Sequence, residues 1–278
     1  MRIDPKITQF LVKSLLWLLT GLTLIILLCI IINVSVAGLP QVTLTFLLQE
    51  PQDMGRAGGI FSTIIATLYI TLVAIVLATP LGVGTAIYLT EYTREGWVTQ
   101  LIRFGAECLA GVPSIILGLF GFVLFVMKLK LGWSVLSGGL SLAIMVLPTI
   151  IRTSEEAIKA VPPVYRLVCY SLGLSKWQGI TRVVLPSAIP GITTGIMLSV
   201  GRSLGETAVL LFTAGAALRT PTSLLDSGRT MAVHFYILAR EGLSMPNAYG
   251  TAAILMVSIL GINIGAYSLM QWFLKRYS

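Results

Sequence analysis

"SEEAIKAVPPVYRLVCYSLGLSKWQGITRVVLPSAIPG", residues 154–191, interrupts a chain otherwise suited to lipid. It mixes Glu, Lys and Arg with helix-forming stretches and is broken by Pro162-Pro163, Gly173 and Pro186. The pattern predicts two or three short helices with a sharp turn at Gly173, because a residue without Cβ accepts φ > 0. Around this stretch 56% of the 278 residues are hydrophobic and only 11% are charged. Soluble domains carry about 25% charged residues, so the segment reads as an ordered loop between membrane spans.

Outward from the loop, six runs approach or exceed the roughly 20 apolar residues that carry a helix across hydrocarbon. They lie at 14–37, 60–90, 104–127, 135–153, 187–213 and 249–273, and they predict an all-α polytopic protein with six transmembrane helices. Arg2, Lys6 and Lys13 precede a first run too long for a signal-peptide core, so it is expected to stay attached as a span. Pro80, Gly82 and Gly84 predict a kink near the inner end of the second span, and Pro113 a bend in the third. The pairs Gly191/Gly195, Gly201/Gly205 and Gly261/Gly265 mark close helix packing.

The net charge of +8 sits beside the spans rather than in a stripe with interleaved aromatics, which argues against nucleic acid. With the N-terminus inside, the inner segments hold eleven Lys and Arg (Arg2, Lys6, Lys13, Arg94, Arg103, Lys159, Arg166, Lys176, Arg182, Lys275, Arg276). The outer ones hold six (Arg56, Lys128, Lys130, Arg219, Arg229, Arg240), so both termini are expected in the cytoplasm. Loops 38–59 and 214–248 then fall outside, and 154–186 inside. Cys29, Cys108 and Cys169 are scattered and predict neither a disulfide framework nor a metal site. His234, the single histidine, is expected in a loop.

Charge inside the apolar spans is the chemical signal. In "GRSLGETAVLLFTAG", residues 201–215, Arg202 and Glu206 stand four apart in the fifth run, a spacing that lets side chains of one helix meet. An arginine at mid-bilayer costs at least about 2.5 kcal/mol on insertion scales and is by default a functional candidate. A pair that only neutralises itself is the competing reading. Arginine's fork of donors suits a tetrahedral oxyanion, and Glu206 could accept the proton that hydrogen phosphate carries and sulfate lacks. Arg152, in "PTIIRTSEE" at the inner end of the fourth run, is a second candidate, with Glu155 and Glu156 as its partners when no anion is present. Ser203, Thr207 and Thr213 could bond a passing anion. Glu107 is expected to pair locally with Arg103.

"LG" at Leu172-Gly173, followed after nine residues by "VVLP" at Val183–Pro186, is similar to the permease signature of bacterial ATP-binding-cassette importers. That signature reads E-A-A, three residues, G, nine residues, I, one residue, L-P. Here Leu167, Val168 and Cys169 stand at the E-A-A positions and Val183 at the isoleucine. "IIRTSEEAIKAVPPVYR" and "GRSLGETAVLLFTAG" on either side resemble the PstA-type permeases of phosphate-specific importers.

The resemblance implies a MetI-like type I importer fold, with a first helix and outer loop at 1–59 and the permease proper at 60–278. It implies a coupling helix at about 171–180, inside the cytoplasmic region 154–186, turned at Gly173 and presenting Ser175, Lys176, Trp177 and Gln178 to an ATPase. Arg152, Arg202 and Glu206 would line the substrate path. The implied partners are a PstC-type permease, two copies of a PstB-type ATPase and a periplasmic PstS-type phosphate-binding protein in a bacterial inner membrane. The chain has no G-x-x-x-x-G-K-[ST] pattern, so no cofactor is expected here, and ATP and Mg would sit on the ATPase. A permease for sulfate or molybdate, or a secondary anion transporter, is the alternative.

Overall fold

The computed structural model describes residues 5–277, apart from the side chains of 5, 7, 8, 269, 270 and 272–277. Arg2 lies outside the described residues, as do the side chains of Lys275 and Arg276. Helix α1 (Pro5–Gly38) is apolar on all sides, and its most hydrophobic stretch has no buried residue. It meets the last helix, α12 (Met245–Tyr277), at Gly38, where a Cβ would collide with the Tyr249 carbonyl and Ala253. The loop that follows holds α2 (Leu44–Leu48), capped by Thr43, and a small hairpin of β1 (Pro51–Gln52) and β2 (Ala57–Gly58).

Two parallel helices form the centre. They are α3 (Phe61–Ile87), which ends in a wide π-turn at Tyr88–Tyr92, and α6 (Val135–Lys159). Gly139 lies against Val73 and Gly82 against Ile150, so the two chains run the same way in close contact. Ile70, Ala74, Leu142, Val146 and Ile150 are fully buried between them. Because α3 and α6 are parallel, the chain between them must cross back.

It does so as a broken pair, with the bend expected at Pro113 in the span at 104–127. Helix α4 (Trp97–Gly111) and the helical stretch 114–128, which begins with α5 (Ser114–Gly121), meet at 102°. Pro113 is the cause: its ring pushes Val112 to extended backbone (ψ 128°), and it has no N–H to continue the helix. Among the described residues, five helices are long and apolar enough to cross a membrane, or six with the bent pair as one span.

After α6 the chain makes α7 (Pro163–Ser171), turns at Gly173, and enters α8 (Lys176–Gly179). Through a wide turn at Ile180–Val184, α8 runs on into α9 (Leu185–Leu204). The expected span 187–213 is corrected here: the helix stops at Leu204, and α10 (Ala208–Thr213) starts after three non-helical residues. Gly205 turns the chain, and the Glu206 side chain accepts from the Val209 N–H at the start of the next helix instead of extending the old one. Helix α10 lies against α5, with Gly118 under Ala208 and Val209. The loop after α10 then folds over the bundle, and α11 (Met231–Arg240) docks on α3 and α12.

Candidate functional site

Gly195 packs on Thr153 and Gly191 on Ala157, so α9 runs antiparallel to α6. Extending that register puts Arg202 level with Val146, near the middle of α6. Arg152 lies about 9 Å deeper toward the α6 C-terminus, six residues at about 1.5 Å each. Arg202 is exposed on the surface of this chain and has no ion-pair partner among the described residues. Beside it Ser203 is buried, and its hydroxyl has no hydrogen-bond partner in the described structure.

The expected Arg202–Glu206 pair does not form. With the helix ending at Leu204, the two residues no longer share a continuous face, and the Glu206 Oε1 accepts from the Val209 N–H at 3.2 Å instead. A carboxylate there offsets the positive end of α10. Arg152 is highly exposed and donates to Glu156 at 3.2 Å. Glu155 is not its partner: it is buried and bonded to Arg103 at 2.7 Å and Lys159 at 2.7 Å. Arg103 also holds Glu95 at 2.8 Å, so the expected local pair of Arg103 with Glu107 is replaced by one that ties α4 to the inner end of α6. Thr213 is buried and back-bonded to the Val209 carbonyl at 2.8 Å.

The segment between α6 and α9 is built by two caps. Gly173, at φ +74°, closes α7: its N–H donates to the Tyr170 carbonyl, and the Leu174 N–H to the Cys169 carbonyl, both at 3.0 Å. Ser175 opens α8: its Oγ accepts from the Gln178 N–H at 3.3 Å, and the Gln178 amide oxygen accepts from the Ser175 N–H at 2.9 Å. The short helices about a sharp turn at Gly173 are as the sequence predicts, but the helix after the turn starts at Lys176 rather than near Ser171, and Gln178 is engaged in its cap. Gly179 and Cys169 bury against each other and fold α7 onto α8. Outside them, Leu167, Val168, Tyr170, Leu172 and Trp177 stand exposed, Trp177 by 60%. Lys176 lies over the Tyr92 ring at 5.1 Å.

Glu91, in the π-turn closing α3, escaped the sequence reading. It is buried and accepts from Arg166 Nε at 2.9 Å and Nη2 at 2.6 Å. A lone glutamate in "YLTEY" followed by a turn gives no signal of a partner 75 residues away.

His234 is buried in α11, not placed in a loop. Its ring packs on Gly55 of the hairpin, and Arg229 Nη1 lies 3.5 Å from Nδ1. Burial, with the Arg229 charge adding to it, pushes the imidazole down to about 4.

Residues 78–278 match the family described as binding-protein-dependent transport system inner membrane component. The chain belongs to that family. The permease is 32% identical over 280 residues to the probable ABC transporter permease protein YqgI of Bacillus subtilis, covering 95% of each chain. It is 37% identical over 227 residues to the phosphate transport system permease protein PstA of Yersinia pestis, covering 81% of this chain and 75% of that one. To PstA of Mycobacterium leprae it is 35% identical over 211 residues, covering 75% of this chain and 69% of that one. Its fold matches a chain of a bacterial alginate ABC transporter solved with a pentasaccharide-bound periplasmic protein, at TM-score 0.66, 17% identity and 93% coverage of both. The MetNI methionine ABC transporter in an inward-facing conformation matches at TM-score 0.64 and 14% identity, over 77% of this chain and 95% of that one. The MetI-like permease fold is therefore that of this chain, and it is a membrane-embedded component of an ABC transporter.

Proposed function

We propose that this permease forms half of the inorganic phosphate path of an ATP-driven importer in a bacterial inner membrane. The observation that carries the reading is Arg202: a permanently charged guanidinium near mid-depth, on the chain surface, without a counter-ion among the described residues. Such a charge is costly against lipid and is at home in a polar path shared with a second permease of PstC type. Likeness to the PstA proteins supports phosphate as the anion. Residues 60–278 form the transport core, and 1–59 add a peripheral span and outer loop.

In this reading phosphate delivered by a PstS-type periplasmic protein meets the fork of donors on Arg202 and then Arg152, which exchanges Glu156 for the anion. Contacts stay weak, because a tight site would hold the ion. Two copies of a PstB-type ATPase, which bind ATP and Mg, dock against the exposed Trp177 and Lys176, with Gly173, Ser175 and Gln178 holding those side chains in place. Both termini lie in the cytoplasm. The test is uptake of labelled phosphate by proteoliposomes containing the purified complex, with and without ATP. ATP-dependent uptake that sulfate does not compete away is expected. No uptake, or equal competition by sulfate, would sink the proposal.

A further inference from the structure

The Arg166 guanidinium uses three nitrogens to join three elements. Nε and Nη2 donate to Glu91 at 2.9 and 2.6 Å, Nη1 donates to the Val161 carbonyl at 2.9 Å, and Nη2 also donates to the Ile158 carbonyl at 3.0 Å. Ile158 and Val161 are buried at the end of α6 and just beyond it, while Glu91 closes α3. Arg166 itself belongs to α7, the first half of the exposed coupling segment.

Covalent connection explains how α7 follows α6 and how α8 follows α9. Nothing covalent links the coupling segment directly to α3, although α3 packs along α6 at the centre of the bundle. The Glu91 side chain is only 5% exposed, and that of Arg166 22%. A buried ion pair is weak evidence for stability, since apolar side chains of similar size often serve as well. What the pair supplies is direction: a forked donor holds one carboxylate and two carbonyls at fixed angles, which an apolar contact does not. Lys176 over Tyr92 adds a second, looser tie between the same two regions.

We infer that Glu91 and Arg166 are positioning residues that transmit movement of the coupling segment to α3, and so to the path. The inference rests on the reading of this segment as the ATPase dock. Both charges are needed for the direction of the push, and neither touches substrate or nucleotide.

The experiment uses the full complex in liposomes with Glu91→Gln, Arg166→Lys and the double variant Glu91→Leu/Arg166→Leu. A nitroxide at Leu68, exposed near the outer end of α3, reports the motion of that helix by its line shape, whatever the substrate. The variants are expected to co-purify with the ATPase and to hydrolyse ATP. Phosphate moved per ATP should fall at least about fivefold, the low end of common coupling effects, and the ATP-dependent change at Leu68 should vanish. The apolar double variant keeps the packing and decides the matter if a single variant does not assemble. Retention of the ATP-dependent change at Leu68 in the assembled double variant would overturn the inference. So would its absence in the unmodified complex, or a loss of uptake matched by an equal loss of ATP hydrolysis. Lack of phosphate uptake by the unmodified complex, with the Leu68 signal intact, would count against the substrate reading alone and leave the joint supported by the line shape.

Discussion

At the scale of single residues, Arg202 and Glu206 have separate tasks because the helix that would join them ends at Leu204. Replacing Arg202 by Gln removes the charge and keeps much of the volume. Phosphate uptake in the assembled complex should fall at least about tenfold, the worth of one charge-assisted hydrogen bond. Glu206→Gln keeps an acceptor for the Val209 N–H, so the start of α10 should survive and the effect should fall on selectivity. Unchanged phosphate-to-sulfate preference in uptake competition would leave Glu206 a structural role only. His234 gives a pH prediction. Its pKa falls from 6.5 to about 4 on folding, so the unfolded chain binds more protons between those values. The stabilisation is complete above pH 6.5 and is lost as pH falls toward 4, by up to roughly 3 kcal/mol. Thermal unfolding across that range should show this slope, and His234→Phe should flatten it. The sequence singled out Arg202 and Glu206 as candidates and placed His234 in a loop. It could not reveal that Glu206 bonds to the start of α10 or that His234 packs on Gly55, far away in the chain.

At the scale of elements, the α7–α8 segment proposed to dock the ATPase was legible in its turn and obscure in its anchoring. Gly173 and the Ser175-x-x-Gln178 spacing announce the two caps. Gly173→Ala forces a side chain into the left-handed region, which costs about 1–2 kcal/mol, and should reduce ATPase association through misplacement of Trp177. Trp177→Ala removes an exposed aromatic anchor and should weaken that association by about 2 kcal/mol or more. Affinity capture of the ATPase by solubilised permease measures both. Full retention of binding in the Trp177 variant would move the docking site elsewhere. The bend at Pro113 is legible in the sequence, though its 102° size is not. The end of α9 at Leu204 is not legible, because hydropathy registers apolar length and Gly205–Thr207 redirect the chain within an apolar run.

At the scale of the whole molecule, close contact is concentrated where small residues meet. Gly195 leaves no room beside Thr153, and Gly191 none beside Ala157. Gly195→Val should therefore part α9 from α6, at a cost of about 1–3 kcal/mol of overpacking. It should lower the yield of assembled complex, scored by size-exclusion chromatography in detergent. Helix α1 differs: its long apolar surface is exposed along its length and touches the bundle near Gly38, as expected of a peripheral span.

Residue order alone determined that the chain is helical and membrane-embedded, because apolar run length and scarce charge leave hydrocarbon as the solvent. It also determined the glycine turn of the coupling segment, since φ > 0 and a capping box are local chemistry. Only the tertiary structure decided that Glu91 belongs to Arg166, that Glu155 belongs to Arg103 and Lys159, and that Arg202 lies without Glu206. Those outcomes depend on which helices run parallel and where each one stops, and long-range electrostatic pairing leaves no period in a sequence.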